Sequence, residues 1–397
     1  MKQIRLIFIF TIIVLITQIN LRAQTANPEE AGMSPDRLSR VNDLIDAAIE
    51  DGNFPGAVLL VARNGKIVHR RAYGNSQLIP QKRKMETDMI FDMASVTKPV
   101  ATATSIMLLV ERGQIRLWDE VNKYVPEFSV FINPDKTEAA NARLWHLLTH
   151  TSGLLPYTNA GTVAEKFGNP CSIDSLAKHI AGLRKLAPPG EEFHYSCLGF
   201  ITMAHIVKQV TGKTVAEFSA ENIFKPLGME STFYVPEKKF LKRCVPTEVI
   251  NGKPLTGTVH DPLARVIGGV SGNAGLFSTA DDLFIFAQMM LNRGTYNGVR
   301  ILSPLTVVRM TEVYARTDFS GRGLGWDLNS AYSTNGGDLF GKNSYGHSGY
   351  TGTSIWIDPD TRTTVIFLTN RVHPYDMGSV VPIRSKIANI VGSAILD

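Results

Sequence analysis

Cysteine is scarce in this chain of 397 residues: Cys171, Cys197 and Cys244 are all there is. Three is an odd number, and none has a close neighbour, so neither a disulfide framework nor a cysteine-based metal site is encoded. Beyond residue 23 no long apolar run occurs, which gives no reason to expect an internal membrane span. Internal repeats and low-complexity tracts are missing, and there is no basic stripe with interleaved aromatics, so nucleic acid is a poor partner. His146 and His150 stand one helical turn apart, but the glutamate of an H-E-x-x-H zinc site is missing, and both are read as structural. No motif calls for a metal or an organic cofactor.

What is present starts with an address. Lys2 and Arg5 precede an apolar run from Leu6 to Ile19, broken only by Thr11, Thr17 and Gln18, and Leu21-Arg22-Ala23 offers a small residue before a cut. That order is the plan of a secretory signal, so residues 1–23 are expected to be removed and the protein exported to the periplasm or beyond. Only an uncleaved segment would bring it to a membrane. The net charge is +5, of which Lys2, Arg5 and Arg22 supply three, leaving +2 for the mature part. Hydrophobic residues make up 44% of the chain, ample for one large domain or two smaller ones.

Periodicity places the elements. Ser34-Pro35-Asp36-Arg37 opens a helix in which Leu38, Val41, Leu44, Ile45 and Ala48 share a face. Residues 57–62 and 66–70 flank Arg63-Asn64-Gly65 and predict a hairpin. Further helices are expected over Val100–Val110, Ile201–Val210 and Asp281–Leu291, the last capped by Ser278 or Thr279. A second hairpin is expected from residues 353–358 and 363–368. Strands at both ends around a helical middle predict an α+β fold: an antiparallel sheet formed by both chain ends, flanked by helices, with an inserted, mainly helical region. The expected division is 28–100 with 265–397 for the sheet region and 101–264 for the helical one.

Chemistry enters at Ser95-Val96-Thr97-Lys98, just before the apolar helix. A serine and a lysine three apart at a helix start lie within one turn of each other. The serine hydroxyl is a weak nucleophile until a base takes its proton, and Lys98 serves if its surroundings lower its pKa from about 10.4. Alone the pattern is weak, and Ser175-Leu176-Ala177-Lys178 repeats it inside an ordinary amphipathic helix with Lys178 in solvent.

Downstream the pattern becomes specific. Pro189-Gly190-Glu191-Glu192-Phe193-His194-Tyr195-Ser196 follows one hundred residues after the serine, and Tyr345-Gly346-His347-Ser348-Gly349-Tyr350 follows later still. With Leu147 to Leu154 (LLTHTSGL) and Gly268 to Thr279 (GGVSGNAGLFST), the chain resembles the serine β-lactamase and penicillin-binding-protein superfamily, in particular class C β-lactamases and their esterase relatives, over nearly its whole mature length. The resemblance implies that Ser95 is acylated beside Lys98, that Tyr195 passes protons, and that His347 orients a substrate carboxylate or supports the tyrosine with a pH-dependent charge. It also implies an oxyanion hole from the backbone N–H groups of Ser95 and Tyr350, with Cys197, Ser348 and Gly349 lining the substrate subsite. Tyr157-Thr158-Asn159 carries the family's Tyr-x-Asn lettering without the Pro-Gly-x-x-Phe lead-in and is read as loop.

One departure stands out. The family places Asn two residues after its tyrosine, and here that position is Cys197, a weak donor and acceptor. The resemblance therefore implies an exported monomeric hydrolase of D-alanyl peptides of the cell wall, or of a related small molecule, rather than an efficient β-lactamase. A carboxylesterase or a weak β-lactamase is the alternative. A slow penicillin-binding or sensor module is the rival from another class.

Overall fold

The computed structural model describes residues 25–314, 321–328, 330, 332 and 335–397, so the expected signal segment lies outside the described residues. Its main sheet has six antiparallel strands. In chain order they are β1 (Gly56–Arg63), β2 (Lys66–Gln77), β3 (Arg83–Lys84), β4 (Tyr345–Ser348), β5 (Ser354–Asp358) and β6 (Thr363–Thr369). They lie side by side as β4-β5-β6-β1-β2-β3, which joins the two ends of the chain through the pairing of Leu59 with Phe367 and Leu60 with Ile366. The β1–β2 turn falls at Asn64-Gly65, both with positive φ (53° and 76°), the backbone that a tight hairpin needs and that these two residue types tolerate.

β1 shows why a continuous apolar run can still be a strand. All eight of its residues are buried. Val58, Leu60 and Ala62 enter the large core, while Ala57, Leu59 and Val61 enter a second core on the opposite face. That second core is closed by helix α1 (Pro35–Glu50), whose N-cap Ser34 accepts from Arg37 N, packed on the C-terminal helix α5 (Val381–Ala394).

Three helices shape the region of interest: α2 (Lys98–Glu111), α3 (Cys197–Thr211) and α4 (Ala280–Leu291), the last capped by Thr279. α2 starts two residues earlier than its apolar run suggested, and its first turns, Lys98–Ala103, are π-helical. Pro99 lacks an N–H to donate, and Thr104 Oγ1 bonds the Pro99 carbonyl at 2.8 Å, so the ladder opens beside Lys98. Phe91–Asp92, Leu276–Ser278 and Phe233–Tyr234 form a small three-stranded sheet, so the stretch 101–264 contributes a strand there as well as helices. Among the described residues no helix is long and apolar enough to cross a membrane.

Candidate active site

Ser95 sits in a tight turn between the short strand Phe91–Asp92 and α2. The residue before it, Ala94, has φ +45°, a left-handed conformation that costs a non-glycine residue on the order of 1 kcal/mol or more. Asp92 Oδ1 holds that turn by accepting from Ala94 N at 2.9 Å.

Lys98 is fully buried one turn later. Its Nζ lies 2.8 Å from Ser95 Oγ, 3.0 Å from the Asn273 carbonyl and 3.5 Å from Cys197 Sγ. Burial pulls the amine down, while the charge of Cys197 and Tyr195 in their ionised forms and a hydrogen bond with Tyr195 pull it up, and the net direction is above the ordinary lysine value. The lowered pKa expected of a free base is therefore not what this site produces.

Tyr195 is positioned by the Thr-Ser-Gly turn. His150 has φ +61° and packs against the Tyr195 ring, tilted by 30° with centroids 4.3 Å apart, and its Nδ1 accepts from Ser196 N at 3.0 Å. Burial, then Arg322 and Lys98, keep His150 neutral, as suits an acceptor. Ser196 caps α3, which puts Cys197 at the first helical position facing Lys98. Lys98 Nζ lies 5.1 Å from the centre of the Tyr195 ring.

β4 is an edge strand and brings in the third motif. Gly349 ends it against the Ser95 turn: a Cβ there would fall 2.5 Å from the Met93 carbonyl oxygen, so only glycine fits. His347 Nδ1 lies 2.9 Å from the Ser348 carbonyl, which can only accept, so Nδ1 carries the hydrogen and Nε2 is left as an acceptor. That Nε2 is buried without a partner among the described residues. Burial first, then Lys98 and Arg322, drive the His347 pKa well below 6.5. The expected pH-dependent donor is thus a neutral acceptor near pH 7. Tyr350 N donates to no protein acceptor among the described residues, while its ring stacks on His260 at 5.7 Å.

Ser95, Tyr195, His347, Ser348, Gly349 and Tyr350 line one cleft of about 460 Å³, with Lys98 and Cys197 behind its wall. The cleft also holds residues that sequence reasoning missed. Arg322 lies 3.4 Å from Asp327 and is packed over the rings of Phe193, Tyr195 and Tyr332. Its glycine-flanked setting, Gly321-Arg322-Gly323, was the available signal. Arg384 on α5 is buried, donates to the carbonyls of Gly349 (3.1 Å) and Thr353 (2.9 Å), and has no carboxylate partner among the described residues. No local pattern marks it. Burial and then Arg371 lower its pKa to about 9.

The residues read as structural find ordinary partners. The Tyr157 hydroxyl bonds Asp261 at 3.1 Å, Lys178 pairs with Glu127 at 3.2 Å, and His146 Nδ1 accepts from Arg143 N. All three cysteines are free.

A family model described as Beta-lactamase matches residues 41–387. The N-acetylmuramyl-L-alanine amidase of Bacillus subtilis is 33% identical over 375 residues, covering 87% of this chain and 84% of the relative. An Escherichia coli protein named "Putative D-alanyl-D-alanine carboxypeptidase" is 30% identical over 380 residues, covering 88% and 85%. Among solved structures, EstCE1, a hydrolase with promiscuous acyltransferase activity, superposes with a TM-score of 0.71 at 22% identity, covering 90% of this chain and 99% of that one, a likeness of fold.

Proposed function

The chain belongs to the beta-lactamase family of serine hydrolases, and from that premise we propose that it is an exported hydrolase acting through an acyl-enzyme on Ser95, with D-alanyl peptides as substrate. The observation that carries this reading is the 2.8 Å contact between Ser95 Oγ, which lines the cleft, and the buried Lys98 Nζ.

The substrate carbonyl carbon meets Ser95 Oγ while its oxygen enters between the N–H groups of Ser95 and Tyr350. The Ser95 proton leaves into the Lys98–Tyr195 pair. Tyr195, which lies beside Lys98, relays it through its hydroxyl, giving up its own proton as it takes up the one from Ser95. Tyr195 then hands the proton to the leaving amine, and water repeats the sequence on the ester. A terminal carboxylate of the substrate falls to Arg384 instead of residue 347, because a guanidinium without an acidic partner among the described residues suits it and a histidine lone pair does not.

An ester substrate is the second reading, and Cys197 favours it. A thiol there offers the substrate amide no strong donor. The two are separated by turnover of D-Ala-D-Ala peptides and of nitrophenyl acetate by the wild type and Ser95→Ala. Peptide turnover lost in the variant supports the proposal; ester turnover alone supports the second reading; a lasting penicillin adduct without turnover of either supports a binding module. Export is tested by the N-terminus of the mature protein, which should begin at Gln24.

A further inference from the structure

Asp92 is a buried carboxyl group whose oxygens meet no cation directly among the described residues: Oδ1 accepts from Ala94 N at 2.9 Å and Oδ2 from His260 N at 2.7 Å. Burial raises the pKa of this carboxyl group against the pull of its two backbone N–H bonds, so sealing it here is costly and returns little in stability alone. What those bonds tie together is more informative. Ala94 is the left-handed residue before Ser95, and the peptide joining the two carries the Ser95 N–H. Release of Ala94 from φ +45° would rotate that peptide. His260 supports the Tyr350 ring. The carbonyl of Asp92 accepts from Thr351 Oγ1 at 2.8 Å, which fixes the turn that presents the Tyr350 N–H.

We propose that Asp92 is the positioning residue of the oxyanion cradle: its carboxylate and its carbonyl lock the Ser95 turn and the Tyr350 turn to one another, so that two N–H groups on separate segments converge on one point. The proposal rests on the reading of Ser95 as nucleophile. It goes beyond that reading by assigning the geometry of the cradle to a side chain that touches neither substrate nor reacting atoms. The role is exerted in the transition state, when the carbonyl oxygen becomes negative, so it acts on the rate of acylation more than on substrate binding.

The test is a cycle built from Asp92→Asn and Ala94→Gly. Asparagine replaces one acceptor oxygen with an NH2 that cannot accept, so one of the two N–H groups loses its partner. Glycine takes the left-handed conformation without help. Acylation of Ser95 by nitrophenyl acetate, followed by intact mass, is expected to slow by about 10²-fold in Asp92→Asn with the half-saturating ester concentration little changed. Adding Ala94→Gly to Asp92→Asn is expected to restore roughly tenfold of that rate, the scale of the strain released. A merely structural carboxylate would not be rescued by a glycine two residues away. Wild-type acylation in Asp92→Asn, or a loss that Ala94→Gly leaves untouched, overturns the proposal. Should Asp92→Asn fail to fold, Thr351→Val cuts only the hydroxyl tie: acylation slowed about tenfold supports the proposal, and an unchanged rate overturns it. A wild-type protein that no acyl donor labels at Ser95 would overturn the nucleophile itself, a failure visible before any Asp92 variant is made.

Discussion

Lys98 Nζ donates to Cys197 Sγ at 3.5 Å, across the boundary between the nucleophile's helix and the first turn of α3. The thiol fills the place from which a carboxamide would both accept from the amine and offer its own N–H to a substrate. Cys197→Asn is therefore expected to raise kcat/KM for a D-alanyl peptide relative to nitrophenyl acetate by about tenfold, the scale of one hydrogen bond to a charged or polarised group. The ratio of the two rates is the measurement, and an unchanged ratio would remove Cys197 from amide recognition.

Arg384 gives a second test, one directed at binding. It contacts the Gly349 carbonyl at 3.1 Å and has no acidic partner among the described residues. Loss of its charge in Arg384→Gln is expected to raise KM about tenfold or more for a peptide with a free C-terminal carboxylate. The same peptide as its C-terminal amide should bind the variant and the wild type about equally. Equal penalties on both peptides would mean that Arg384 serves only to brace the end of β4.

The buried histidines set an acid limit on stability. His146 is held at about 4, and His150 and His347 well below 6.5, in each case first by burial. Their folded values are depressed, so the unfolded chain binds protons that the folded protein refuses once pH drops below 6.5. The stabilisation is complete above that pH and is lost as pH falls toward the folded values, at about 1.4 kcal/mol per pH unit for each fully shifted histidine. Thermal unfolding followed between pH 7.5 and 4.5 should show Tm flat above 6.5 and falling below it. His146→Gln, which keeps a polar side chain that does not titrate, should make that slope shallower.

Much of the fold was legible because its signals are local. Ser34 announced the cap of α1, Asn64-Gly65 announced the β1–β2 turn, and the three motifs announced Ser95, Tyr195 and His347 as candidates. What the residues do to one another was less legible. The pKa of the Lys98 amine is raised by Cys197 and Tyr195, which approach from about a hundred residues away, and no window of sequence contains that sum. The tautomer of His347 depends on the direction in which the Ser348 carbonyl points. Arg384 reads as one more polar position on a C-terminal helix until α5 packs beside the sheet and lays it against Gly349. Asp92 reads as a strand residue beside the nucleophile until its backbone partners, 2 and 168 residues away, are seen.

The central claim is that one hydroxyl, on Ser95, takes the acyl group. The most direct measurement is intact mass followed by peptide mapping after brief exposure to an acyl donor, nitrophenyl acetate or a penicillin, for the wild type and Ser95→Ala. The expected result is one added acyl group on the peptide that contains Ser95, absent from the variant. An adduct on the Cys197 peptide, or labelling that survives Ser95→Ala, would contradict it.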